Sequence, residues 1–243
     1  MLSKNQIKLI KSLQDKKDRK ESGLFLVEGA KNTLEVLNSD FQITELFITE
    51  EFLNKNNVIL KNINYTLATQ DELEKAGSLE SNDSAIVVIK QKDNSVLKIE
   101  NTEIIIALDE IKDPGNLGTI IRIADWYGIK KIVASTNTAD FYNPKVISAT
   151  KGSFIRVQIF YTDLKQFLTE TKMPILGAFL DGENIHKLNF PKAGILLMGN
   201  ESKGISPEIE KEVTQKITIP AFGKAESLNV AIATAVILDN WKR

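Results

Sequence analysis

Residues 104–110, IIIALDE, form an apolar run broken only when it ends in two acids. A half-exposed strand alternates apolar and polar side chains, whereas a run without alternation is buried on both faces. The segment therefore reads as a central parallel strand, and parallel strands need helical crossovers on the faces of the sheet. GILLMG (194–199) repeats the pattern, and KKIVAST (130–136), VQIFYT (157–162), PILGAFL (174–180) and ITIP (217–220) supply further strands. Helices are expected over Leu117–Tyr127, after Asn143-Pro144 with the proline in the first turn, over 163–172, from Pro207, and from Ser227 to the C-terminus. The last of these, with Leu228, Val230, Ala231, Ile232, Val236, Ile237 and Leu238, has almost no polar face. Such a helix has to be enclosed by its own domain, by a second subunit, or by both.

The first hundred residues read as a smaller α/β unit. A basic helix is expected over 3–14, strands at 25–29, 43–49, 65–69 and 84–90, and helices at 30–38, 50–54 and 70–76. QKDNSVLKIENT (91–102) is polar and aperiodic, which makes it the linker, with the domain boundary near residue 98. Lys4, Lys8, Lys11, Lys16, Lys17, Arg19 and Lys20 crowd the first segment, opposed only by Asp15 and Asp18. A segment of this kind either neutralises phosphates or is a solvated helix face.

What is absent narrows the chemistry. The chain has no cysteine and a single histidine, His186. Thiolate nucleophiles, disulfides and thiolate metal sites are excluded, and Ser–His–Asp chemistry has almost nothing to work with. His186 reads as a solvated loop side chain. No metal site is expected, so reactivity would come from a cofactor that the protein positions. The formal net charge of −1 gives no global field for nucleic acid. No apolar run approaches the length of about 18 residues that a membrane span needs, and the N-terminus lacks a signal-peptide core. The expectation is a cytoplasmic protein.

Three segments lie where strands end, the ligand-binding edge of an open α/β sheet. DEIKDPGNLGTIIRIADWYG (109–128) has Asn116 at the expected helix N-cap and Arg122 further along the helix. LLMGNESKGIS (196–206) brackets a polar turn with Gly199 and Gly204. It lacks the spacing of a nucleotide-phosphate loop, and Glu201 suits a ligand with a positive centre. ITIPAFGKAESLNVAIATA (217–235) has Pro220 ending a strand, Ser227 as a possible cap and Asn229 in the first turn. No G-x-G-x-x-G occurs, against the common dinucleotide fingerprint.

Taken in order, these segments resemble the three motifs of the SpoU/TrmH-type RNA 2′-O-ribose methyltransferases of the SPOUT superfamily. FYNPKVISATKGSFIRV resembles that family's connecting segment, and KKDRKESGLFLVEGAKNTLEVL its substrate-binding domain. The resemblance implies a SPOUT domain over 99–243, with a parallel sheet and a deep trefoil knot. It implies a ribosomal-protein-like RNA-binding domain over 1–98, S-adenosylmethionine as cofactor, and a homodimer with the site near its interface. By motif position, Asn116, Arg122, Glu201, Ser227 and Asn229 become the catalytic candidates. Ala178, Met198, Gly199, Glu201, Ile219, Pro220, Ser227 and Leu228 become the cofactor-binding candidates. The lysine-rich start, with Arg19, becomes an RNA contact. The reaction implied is methyl transfer to a ribose hydroxyl, with large-subunit ribosomal RNA ahead of tRNA as substrate. The competing readings are a catalytically silent RNA-binding protein and a base-nitrogen methylase.

Overall fold

The computed structural model describes residues 1–243. Its chain forms two compact units, one of Met1–Asp93 with Asp140–Ile155, the other of Asn94–Ala139 with Arg156–Arg243. The segment 140–155 thus packs in the first unit, although it lies beyond residue 98 in the chain.

The first unit contains α1 (Lys4–Ser12), α2 (Lys16–Ser22), β1 (Leu24–Glu28), α3 (Ala30–Leu37), β2 (Ile43–Ile48), α4 (Glu50–Leu60), β3 (Thr66–Leu67), α5 (Gln70–Ala76) and β4 (Ala85–Lys90). Its sheet runs β1-β4-β2-β3, with β4 antiparallel to both neighbours and β2 parallel to β3. Strand alternation sends Leu26 into a core with Ile10, Leu13, Leu73 and Val88. Phe25, on the opposite face, meets Phe41 and Phe154 edge-on at 5.8 and 6.2 Å. Helix α2 departs from the sequence expectation, because KKDRKES carries no apolar period. Its ends specify it instead: Asp15 accepts from the Lys17 N–H at the start, and Gly23 closes it at φ 66°.

The second unit opens with β5 (Ile104–Leu108), α6 (Pro114–Trp126) and β6 (Lys131–Ser135). Helix α7 (Pro144–Thr150) follows in the chain, within the segment that packs in the first unit. The second unit continues with β7 (Gln158–Thr162), α8 (Leu164–Glu170), β8 (Ile175–Asn184), β9 (Gly194–Met198), α9 (Pro207–Glu210), β10 (Gln215–Thr218) and α10 (Val230–Lys242). The sheet has six strands in the order β10-β8-β9-β5-β6-β7, every pair parallel. Ile105 to Leu108 on β5 and Ile195 to Leu197 on β9 are fully buried, as their unbroken apolarity requires.

The order of the strands locates the cleft. From β5 the chain crosses through α6 to β6 on one side, and from β9 it crosses through α9 towards β10 on the other. Neighbouring strands whose connections diverge leave a crevice at their C-terminal ends. In this unit that crevice lies beyond Leu108 and Met198.

Helix α10 is less enclosed than its sequence suggests. Val230, Ala231, Thr234, Ile237, Leu238 and Trp241 form its buried stripe. Trp241 stacks on Phe190 at 5.2 Å and donates its indole N–H to the Pro191 carbonyl at 2.7 Å. Ile232, however, is 52% exposed, and Trp126 on α6 is 84% exposed.

Candidate active site

The loop after β5 turns at Glu110, whose φ of 55° lies in the left-handed region. Helix α6 then begins at Pro114, capped by Asp113, whose Oδ1 accepts the Asn116 N–H at 2.8 Å. Asn116 is therefore not the N-cap expected from its sequence position. The capping by Asp113 leaves the Asn116 side chain free for other partners.

Those partners come from the other two motifs. The Glu201 carboxylate, in the loop after β9, accepts from Asn116 Nδ2 at 3.0 Å and more weakly from the Asp113 N–H at 3.4 Å. Asn116 Oδ1 accepts from Asn229 Nδ2 at 2.9 Å. Asn229 Oδ1 accepts the Ala231 and Ile232 N–H groups at 2.9 and 3.3 Å and so caps α10. The cap is Asn229 rather than Ser227, and the helix starts at Val230.

The direction of this relay follows from its ends. A carboxylate only accepts, so Asn116 must turn its amide towards Glu201. The helix N-terminus only donates, so Asn229 must turn its oxygen towards α10. Both amide orientations are then fixed with no alternative that keeps every bond.

The Glu201 loop is itself held by Asn200. Asn200 Oδ1 accepts the Ser202 and Lys203 N–H groups, and its Nδ2 donates to the Glu110 carbonyl at 2.8 Å. Gly199 is required for a local reason: a Cβ there would lie 2.2 Å from the Ile205 nitrogen. Buried Asp109 accepts the Ser206 N–H at 2.8 Å and ties the far end of the same loop to β5. Glu110 Oε1 accepts from Asn137 Nδ2 at 2.8 Å, and its carboxylate lies 3.3 Å from Lys112 Nζ. The Asn137 hydrogen bond, helped by Lys112, holds the Glu110 carboxyl below its ordinary pKa.

Sequence reasoning overlooked Glu110, Asn137, Asn200, Asp109 and Asp113. Only Asp113 carried a legible signal, an Asp directly before a helix-opening proline.

The remaining candidates are distributed around this network. Arg122 is exposed on α6 and forms no ion pair, outside the Glu201–Asn116–Asn229 relay. It shares an exposed stripe with Gly115 and Trp126. Met198 and Gly199 are buried at the end of β9, Ala178 is half-buried on β8, and Ile219 and Pro220 are half-buried just after β10. Residues 221–229, with Ser227 and Leu228, are exposed. The strands β8, β9 and β10 are neighbours, so these positions gather at one end of the sheet.

In the first unit Lys4, Lys8, Lys11, Lys16, Lys17 and Lys20 are exposed, with Lys17 3.8 Å from Glu21. Arg19 corrects the sequence expectation. It is 1% exposed, and its guanidinium donates to the Leu13 and Gln14 carbonyls and through two nitrogens to Asp140. Those bonds leave it unable to reach a phosphate in solvent.

With this sheet and a relay joining three strand-end loops, the chain matches RNA methyltransferases of the SPOUT class. The profile of the SpoU rRNA methylase family matches residues 103–239, and that of the MRM3-like substrate binding domain matches residues 4–86. The chain belongs to the SpoU rRNA methylase family. It is 27% identical over 241 residues to the 23S rRNA (guanosine(2553)-2′-O)-methyltransferase of Bacillus subtilis, covering 97% of this chain and 96% of that one. A TrmH-family structure from Porphyromonas gingivalis superposes with a TM-score of 0.86 at 33% identity, over 99% of this chain and 98% of that one. The AdoMet-bound rRNA methyltransferase of Sinorhizobium meliloti gives a TM-score of 0.87 at 26% identity, over 100% of this chain and 96% of that one.

Proposed function

We propose that this protein transfers a methyl group from S-adenosylmethionine to a ribose 2′-hydroxyl of large-subunit ribosomal RNA. The observation that carries the reading is the relay Glu201–Asn116–Asn229, which draws one residue from each of the three motifs into a single network. Similarity along nearly the whole chain to a 23S rRNA methylase, including the smaller unit, favours ribosomal RNA over tRNA.

The residues at the strand ends fit the cofactor. The Glu201 carboxylate suits a cationic sulfonium, and the half-open apolar positions Ile219, Pro220 and Leu228 suit an adenine. Ala178, Met198, Gly199 and Ser227 complete the set. When bound, S-adenosylmethionine supplies an electrophilic methyl group, so nothing in the reaction demands a metal.

The chain's own residues orient and stabilise. Asn116, fixed by Glu201 and Asn229, presents a rigid polar edge to the ribose, and rigid presentation is what proximity catalysis needs. Arg122 brings an exposed guanidinium to the reaction. It holds an RNA phosphate and stabilises the developing negative charge as the 2′-hydroxyl gives up its proton to solvent water. The lysines of α1 and α2 meet RNA phosphates in the substrate unit, within residues 1–98, while 99–243 carry the chemistry. A second copy of the chain covers Trp126 and Ile232, giving a homodimer. The family's trefoil knot and a cytoplasmic location complete the reading. No helix is long and apolar enough to cross a membrane.

The test uses protein, methyl-labelled S-adenosylmethionine and unmodified transcripts of 23S rRNA or tRNA. Label is expected in 23S rRNA, whereas transfer to tRNA alone would replace the substrate. Absence of transfer, together with no rise in melting temperature on adding the cofactor, would leave a silent RNA-binding protein.

A further inference from the structure

Glu110 is the residue of the second unit whose backbone is hardest to explain by local preference. A non-glycine residue at φ 55° is uncommon, and the types that tolerate it best are Asn, Asp and His. Such a conformation persists only where the surroundings over-determine it. Here they do so from both neighbouring strands. From the β6 side, Ser135 Oγ accepts the Glu110 N–H at 2.9 Å and Asn137 Nδ2 donates to its carboxylate at 2.8 Å. From the β9 side, Asn200 Nδ2 donates to its carbonyl at 2.8 Å. One residue on, the Ile111 carbonyl accepts the Ala139 N–H at 2.8 Å.

The turn these bonds impose has a direct consequence. Lys112 and Asp113 N–H groups then face Glu201 at 3.5 and 3.4 Å, and Asp113 caps the helix that carries Asn116. The left-handed turn thus lies between two anchors and immediately upstream of the relay.

We propose that Glu110 is a positioning residue of the methyl-transfer site, its carboxylate pinning the strained turn to Asn137 so that Asn116 is held against Glu201. This rests on the methyltransferase reading above. Glu110 need not touch either reactant; it acts through the loop.

Glycine separates this role from an ordinary structural one. Glu110→Gly removes the penalty of the left-handed backbone and also removes the carboxylate anchor. If Glu110 is merely a strained loop residue, the glycine variant is at least as stable and fully active. If it positions the site, stability is kept while turnover falls. Expected for Glu110→Gly is a melting temperature no lower than that of Glu110→Ala, kcat down about tenfold, and KM for cofactor and RNA within about twofold. Glu110→Gln, whose amide oxygen still accepts from Asn137, restores most of kcat. Asn137→Ala, which deletes the same bond from an exposed partner, lowers kcat as Glu110→Gly does. Hydrogen exchange over residues 109–113, read on the full protein, accelerates in Glu110→Gly and Asn137→Ala but not in Glu110→Gln.

Wild-type kcat in Glu110→Gly, or unchanged exchange in both anchor-deleting variants, would overturn the proposal. If the wild-type protein transfers no methyl to 23S rRNA or tRNA transcripts, the methyltransferase reading fails, and the exchange pattern alone decides whether Glu110 holds the turn.

Discussion

Asn116 and Arg122 lie on the same helix yet have opposite surroundings. Asn116 is bonded on both sides of its amide, while Arg122 stands exposed with no partner in the protein. A cation left exposed and unpaired is available to RNA. Arg122→Ala is therefore expected to lower turnover on the order of a hundredfold or more, with cofactor affinity by calorimetry unchanged. Near-normal turnover would remove Arg122 from the mechanism. Both residues were singled out in the sequence by motif position; the structure brings Asn116 into the relay and leaves Arg122 outside it. Glu110 and Asn200 were not singled out, since their roles depend on a backbone angle and on side chains that fold back onto the main chain. Arg19 was misread for a related reason: sequence shows its charge but not the carbonyls of Leu13 and Gln14 or the carboxylate of Asp140 that enclose it.

At the scale of elements, helix α10 both buries an apolar stripe and delivers Asn229 to the site. The two jobs separate by substitution. Asn229→Asp keeps an acceptor for the Ala231 and Ile232 N–H groups and adds favourable charge at the helix N-terminus. It loses the donor to Asn116. Its expected signature is an unchanged melting temperature with reduced turnover. Asn229→Ala loses both and should cost about 1 kcal/mol of stability as well. Equal turnover in Asn229→Asp and wild type would show that the relay is dispensable. The start of this helix was misread because Ser227 and Asn229 are both good caps, and only the path of the chain decides between them. Helix α6 repeats the lesson with Asp113 and Asn116. The unbroken apolar runs gave the buried strands β5 and β9 directly, because burial on both faces leaves no other composition.

For the whole molecule, the order β10-β8-β9-β5-β6-β7 creates the site, since it brings the loops after β5 and β9 together at a switch point. Strand order was not readable from periodicity, which identifies strands but not their neighbours. The membership of 140–155 in the first unit was hidden for the same reason: Phe154 reads as any apolar residue until it meets Phe25. Methyl transfer to a ribose is tested most directly by the chemistry of the product. Unmodified 23S rRNA is incubated with the protein and methyl-labelled S-adenosylmethionine, digested to nucleosides and resolved by mass spectrometry. Label is expected in a 2′-O-methylnucleoside, with the mass increase on the sugar; label on a base would contradict ribose methylation.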